Sequence, residues 1–274
     1  MFEIHLVNPL MKETQMAIDF NAKENRHTYL GRDAQQEWYD IIHSLTEPKG
    51  KDIADIGCGG GIYSRAWANL GAKSITCVDF SDQMLADAAE NTQELKNITL
   101  KKGNALHTGL PANSQDIIFE RALIHHISEE DRVICFAEAN RLLRSGGIYI
   151  LQDRTVQDVN LPGSPEHIRG YIFDVYPHLR DFENQRRPDT HNVINGFKEV
   201  GFRHVNTLSF LEKRATYNNF SQLADDFRLR KGRSILHELS DKEIAYLVDY
   251  IENTLPSLTN IVENDYWTIW TGIK

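Results

Sequence analysis

One segment of the chain stands out for the chemistry it can do: Asp55-Ile56-Gly57-Cys58-Gly59-Gly60-Gly61. Glycine reaches positive φ without penalty and has no Cβ to hold a ligand off the backbone. Placed after an apolar run and before a helix, such a bend lets main-chain atoms lie against a bound molecule. Asp79 closes the next apolar run, where a carboxylate can accept hydrogen bonds from both hydroxyls of a ribose. Together the two features are specific, whereas either alone is weak. Glu120 and Arg121 end a further apolar run, with His125 and His126 just beyond, and Asp153 ends another. Histidine can work as a base near neutral pH, although loop packing is the plainer role for it here. Glu120 reads as a carboxylate at the mouth of a site, or as a strand-end hydrogen-bond acceptor. Arg169, Tyr171, Tyr176 and His178 suit either a grip on a polar or aromatic ligand or an ordinary surface. Arg228, Arg230, Lys231 and Arg233 form a basic cluster, read as a solvated helix end or as a contact for an anion or RNA.

The glycine spacing discriminates between ligands. A dinucleotide fingerprint G-x-G-x-x-G that starts at Gly57 would need its third glycine at Ile62. The chain has Gly57-x-Gly59-x-Gly61 instead. This tighter form need not cradle a pyrophosphate and suits a cofactor that carries an amino acid and a sulfonium.

The elements that must position these groups alternate along the chain. Helices are expected over Met11–Ala22 and Asp33–Leu45; in the second, Trp38, Ile41, Ile42 and Leu45 mark an amphipathic face. Strands are expected at Asp52–Ile56, Ser74–Asp79, Ile98–Lys102, Asp116–Glu120 and Ile148–Leu151, with helices between them. Ser81 and Ser128 are placed to cap two of those helices. Beyond Asp153 the pattern loosens to a helix at Thr190–Val200, a strand at Phe202–Leu211, a long helical stretch from Phe220 to Asn253 and a last strand at Tyr266–Ile273. Unbroken apolar strands alternating with helices predict an α/β fold: a doubly wound, seven-stranded, mostly parallel, Rossmann-like sheet. We expect one domain over 1–274, with a helical N-terminal cap at 1–49 and a core at 50–155. Helical or lid additions at 156–185 and 212–262 would surround the substrate side.

Composition narrows the function classes. The 274 residues are 41% hydrophobic, enough for a packed core, and 39 acidic against 30 basic side chains leave a net charge of −9. An acidic chain is poorly suited to broad contact with phosphate backbones, so a nucleic-acid partner is not expected. Cys58, Cys77 and Cys135 have neither a disulfide pattern nor zinc spacing, so no metal is expected. No run of ~18 apolar residues exists, and Met1–Phe20 lacks the features of a signal peptide. The expected setting is the cytoplasm, without a membrane span.

Five ordered stretches give the chain a family likeness: Asp55–Gly61; Val78-Asp79-Phe80-Ser81 followed by Met84; Gly103-Asn104-Ala105; Asp116–Arg121; and Glu138 with Arg141-Leu142-Leu143-Arg144-Ser145-Gly146-Gly147. Over about residues 50–155 the chain resembles the class I S-adenosylmethionine-dependent methyltransferases, in particular the small-molecule group related to quinone-biosynthesis enzymes. The resemblance implies S-adenosylmethionine as cofactor and S-adenosylhomocysteine as product. It implies a cofactor-binding set that includes Asp55, with the Gly57-Cys58-Gly59 backbone against the methionine part and Asp79 on the ribose. Phe80 and Met84 would flank the adenine, Asn104 and Ala105 would sit at its edge, and Arg121 would lie near the cofactor. Family members often have aspartate where this chain has Asn104. His125 and His126 are the candidate catalytic bases, needed only if the attacking atom of the acceptor must lose a proton. The expected activity is in-line methyl transfer to a small molecule. RNA methylation by the same core and a non-catalytic nucleotide-cofactor-binding protein are the alternatives.

Overall fold

The computed structural model describes residues 33–274, so the helix expected at Met11–Ala22 lies outside the described residues. Helix α1 (Gln36–Leu45) leads into β1 (Asp52–Ile56), α2 (Ile62–Asn69), β2 (Ser74–Asp79), α3 (Asp82–Thr92) and β3 (Ile98–Lys102). The chain then crosses to β4 (Gln115–Arg121), a 3-10 turn at Ile124–His126, α4 (Glu129–Leu142) and β5 (Leu143–Asp153). The strand order is β3-β2-β1-β4-β5, and every pair in it is parallel. Sequence order reverses between β1 and β4, which opens a crevice at the carboxyl ends of the strands. Ser81 and Ser128 accept the backbone N–H groups of Met84 and Asp131, capping α3 and α4 as their positions predict.

Past β5 come α5 (Val156–Val159), α6 (Gly170–Val175), α7 (Pro177–Arg186) and α8 (Thr190–Glu199). They are followed by β6 (Arg203–Asn219), α9 (Phe220–Arg228), α10 (Asp241–Thr254) and β7 (Thr259–Ile273). Strand β7 lies between β5 and β6, antiparallel to both, and completes the seven-stranded sheet. Several expectations change. Strand β5 begins at Leu143 rather than Ile148. Strand β6 runs to Asn219 rather than Leu211 and β7 begins at Thr259 rather than Tyr266, because these two extensions pair with each other. The long helical stretch breaks around Gly232 (φ +57) into α9, a short 3-10 turn and α10.

Three apolar clusters hold this together. One lies on the α1–α2 face, where Trp38 meets Trp67 and Phe119 edge to face at 5.2 and 5.7 Å. A second fills the opposite face, between the sheet, α4 and α8. The third lies beyond the sheet, where α6, α7, α9 and α10 pack around Tyr217 and Ile261 of the β6–β7 ribbon. The helical additions are therefore built on an extension of the sheet itself. In the register of that ribbon Glu212 faces Asp265 and Tyr217 faces Ile261, with a bulge at Arg214. A bulge re-aims side chains, and it turns Arg214 into the same layer as those acids.

Candidate active site

The crevice at the carboxyl ends of β1, β2, β4 and β5 deepens into a cavity roofed by the additions. Asp55, Gly57, Cys58, Gly59, Asp79, Phe80, Met84, Arg121, His125 and His126 all line it. Asn104 and Ala105 do not border it. The Oδ1 of Asn104 accepts the N–H groups of Leu106 and His107 and so closes its own turn.

On the β1–β2 side, Gly57, Gly59 and Gly61 all have positive φ. Among the described residues, a Cβ on Gly59 would meet no atom within 4 Å, so the backbone there faces the cavity. The Oδ2 of Asp79 accepts the N–H of Gly59 at 2.9 Å, and its Oδ1 accepts that of Ser81 at 2.9 Å. Burial raises the Asp79 carboxyl above the usual range. Beneath the loop, Ser64 donates to Asp55 at 2.5 Å, and burial, with a contribution from Asp79, pushes Asp55 up to about 7. Phe80 is 39% exposed whereas Met84 is buried, so the two offer an open face and a deep face for a flat ring.

The two histidines differ. Nδ1 of His125 donates to Asp153 at 2.8 Å, and Asp153 also accepts from the backbone N–H of Arg154 and from Arg187, each at 2.7 Å. Donation through Nδ1 leaves Nε2 with a free lone pair in the neutral ring. Burial, reinforced by Arg187, holds the His125 ring well below its ordinary pKa, and burial together with Arg186 takes His126 down to about 3. The rings lie 4.0 Å apart. His125 thus has the buried carboxylate partner that orients a base.

Across the cavity from the glycine bend, the expected Arg121 is surrounded by groups that sequence reasoning passed over: Tyr63, Arg154, Glu212, Asp265 and Trp267. Arg121 is sandwiched between the rings of Tyr63 (4.3 Å) and Trp267 (3.9 Å) and pairs with Glu212 at 2.7 Å. Tyr63 donates to the same Glu212 at 2.9 Å. Arg154 stacks on Trp267 at 3.9 Å and pairs with Asp265 at 2.8 Å. Only period-two charges on the last strands, such as Glu263 and Asp265 beside Trp267, could have signalled this layer.

Several expectations need correction. Glu120 is not at the mouth. It points to the opposite face of β4 from Arg121 and is fully buried, accepting from Tyr149 at 2.8 Å. Burial pushes it up to about 7. Of the four residues expected to grip a ligand, only Arg169 borders the cavity. Tyr171 belongs to the apolar core of the additions, and Tyr176 donates to the backbone of Glu243. The basic cluster divides: Arg228 and Lys231 form the solvated helix end, one of its two readings, and pair with Asp225 and Asp226, while Arg230 pairs with Asp241 and Arg233 is buried against Glu263. It offers no continuous surface for RNA.

Residues 54–151 match the methyltransferase domain family. Phosphoethanolamine N-methyltransferase 1 of Caenorhabditis elegans is 32% identical over 42% of this chain, and malonyl-[acyl-carrier protein] O-methyltransferase of Serratia marcescens is 33% identical over 57%. The chain spans 24% of the first relative's length and 66% of the second's. A solved Haemonchus contortus phosphoethanolamine N-methyltransferase 2, bound to phosphomonomethylethanolamine and S-adenosylhomocysteine, superposes with a TM-score of 0.59. It is 19% identical, and the superposition covers 94% of this chain and 61% of that one, a likeness of fold. Among the described residues, no helix is long and apolar enough to cross a membrane.

Proposed function

The chain belongs to the class I S-adenosylmethionine-dependent methyltransferases, and from that premise we propose that it methylates a small-molecule acceptor held in the cavity by in-line displacement. The observation that carries this reading is the junction of Asp79 with Gly59: a buried carboxylate beside an open, Cβ-free stretch of backbone. The residues present fit the cofactor. Asp79 can accept from ribose hydroxyls beside its backbone contacts, Phe80 and Met84 offer a slot for the adenine, and the Gly57-Cys58-Gly59 backbone faces the space for the methionine part.

When bound, S-adenosylmethionine supplies a methyl group on a positive sulfur that leaves neutral, so no acid is required. The main task of the chain is then to hold the acceptor in line at near-contact distance. The roof of additions and the stacked Tyr63, Arg121 and Trp267 give a rigid wall for this. Where the attacking atom carries a proton, Nε2 of His125 takes it, with Asp153 orienting the ring and stabilising its charged form.

Isothermal titration of the intact protein with S-adenosylhomocysteine tests the reading, followed by a screen of small molecules with methyl-labelled cofactor. Binding that disappears in Asp79→Ala is expected. If the wild-type protein did not bind, or Asp79→Ala bound unchanged, the proposal would be lost.

A further inference from the structure

The substrate end of the cavity is crowded with buried arginines, and their counter-charges can be followed one at a time. Arg121 has Glu212. Arg233 holds Glu263, with Arg214 3.3 Å from the same carboxylate. Arg154 has Asp265. Arg186 and Arg187 both grip Glu183, and Arg187 also reaches Asp153. Arg169 is the exception. Among the described residues its nearest carboxylate is Glu183 at 4.0 Å, already claimed by two closer guanidinium groups. Its Nε, like those of Arg121, Arg154, Arg186 and Arg214, has no hydrogen-bond partner among them, but each of those four has a closer carboxylate.

Arg169 is nevertheless 5% exposed and borders the cavity. A buried charge without a hydrogen-bonded partner is costly, and the cost persists unless something completes it. The neighbouring charge makes matters worse: burial, and then Arg154, push the Arg169 guanidinium down to about 9. Arg154 cannot swing away, because it is stacked on Trp267, whose ring also carries Arg121 at 3.9 Å. Arg169 and Arg154 line the same cavity, and like charges sharing a low-dielectric space repel, so an anion entering that cavity relieves the uncompensated one.

We infer that Arg169, with Arg154 beside it, receives an anionic group of the methyl acceptor, a carboxylate or a phosphate. Planar guanidinium groups match the geometry of either group through paired N–H donors. This rests on the methyl-transfer reading above, and it deepens that reading by assigning a charge to the acceptor. It also orients the acceptor: His125 borders the same cavity, so anchoring one end at Arg169 leaves the remainder to be presented toward the base and the cofactor side.

The test is titration of the intact protein, first saturated with S-adenosylhomocysteine, with inorganic phosphate and separately with acetate, at an ionic strength held constant by sodium chloride. Wild type should bind at least one of the two. Preference for phosphate marks a phosphorylated acceptor and preference for acetate a carboxylated one. Arg169→Met should weaken that binding by roughly tenfold or more, while binding S-adenosylhomocysteine as wild type does. Because this substitution removes a poorly paired buried charge, its melting temperature should equal or exceed that of wild type. Arg169→Lys, which keeps the charge and loses the fork, should show intermediate anion affinity. The inference is overturned if neither anion binds the loaded wild type or if both variants bind as wild type does. It is equally overturned if Arg169→Met loses affinity for S-adenosylhomocysteine, since Arg169 would then serve the cofactor's own carboxylate. Failure of wild type to bind S-adenosylhomocysteine at all is a separate outcome, and it removes the methyl-donor reading itself.

Discussion

The carboxylate of Asp79 accepts the backbone N–H of Gly59 at 2.9 Å, joining the end of β2 to the bend after β1. This contact fixes the position of the loop and, under the proposed reading, also holds the carboxylate for a ribose. Asp79→Asn should therefore separate the two roles. An amide can still accept from Gly59 but loses the charge-assisted bonds to hydroxyls, worth roughly 1.5–3 kcal/mol each. We expect calorimetry to show S-adenosylhomocysteine affinity lowered by about tenfold or more, with a smaller change in melting temperature than Asp79→Ala produces.

Gly59 and Gly57 share positive φ but not surroundings. A Cβ on Gly59 meets nothing, whereas one on Gly57 lies 3.0 Å from the Leu123 side chain. Both substitutions by alanine carry the backbone penalty of ~1–2 kcal/mol. Only Gly57→Ala adds a steric term. Thermal denaturation should show the larger loss for Gly57→Ala, while titration should show that Gly59→Ala loses cofactor affinity out of proportion to its stability.

His125 is neutral by environment, since burial and Arg187 hold its pKa well below the ordinary value. A base in that state is not titrated away on mild acidification. Once an acceptor is in hand, kcat should stay flat between about pH 8 and 6, where an unperturbed histidine of pKa ~6.5 would cause a fall. His125→Asn should lower kcat by roughly 10²–10⁴ if the attacked atom carries a proton, with little change in cofactor affinity. An unchanged kcat in the variant would assign the ring to packing.

Glu120 links stability to pH. Its carboxyl is pushed from 4.5 up to about 7 by burial, so between those values the folded protein holds a proton that the unfolded chain releases. The contribution is fully present below pH ~4.5 and is lost as pH rises through about 7. Glu120→Gln removes the dependence and can still accept from Tyr149. Denaturant unfolding should show the variant equal to wild type near pH 4.5 and more stable at pH 8, by up to ~3 kcal/mol at 1.36 kcal/mol per pKa unit.

The glycine-bend side of the cavity was legible because local rules determine it. Strand Asp52–Ile56, the glycine bend and the acid at Asp79 are each set by a few consecutive residues, and right-handed crossovers bring them together. The opposite side depends on pairings between distant segments. Arg121 meets Glu212 across 91 residues, and nothing near either one announces the other. Tyr171 shows the same limit, for a tyrosine on a short helix faces core or cavity according to the tertiary packing. Glu120 and Arg121 were separable in principle, since neighbours on a strand point to opposite sides. Knowing which side held the cavity required the helices.

The β6–β7 ribbon constrains how the ligand preference of this cavity could change. Glu212, Glu263, Asp265 and Trp267 lie on the inner side only because the two strands stay in step around the bulge at Arg214. A single inserted or deleted codon in either strand would turn alternate side chains outward, stripping partners from several arginines at once. A different ligand is therefore reached by exchanging one amino acid for another at fixed length, and this stretch should tolerate frame-preserving indels far less well than the loops around it.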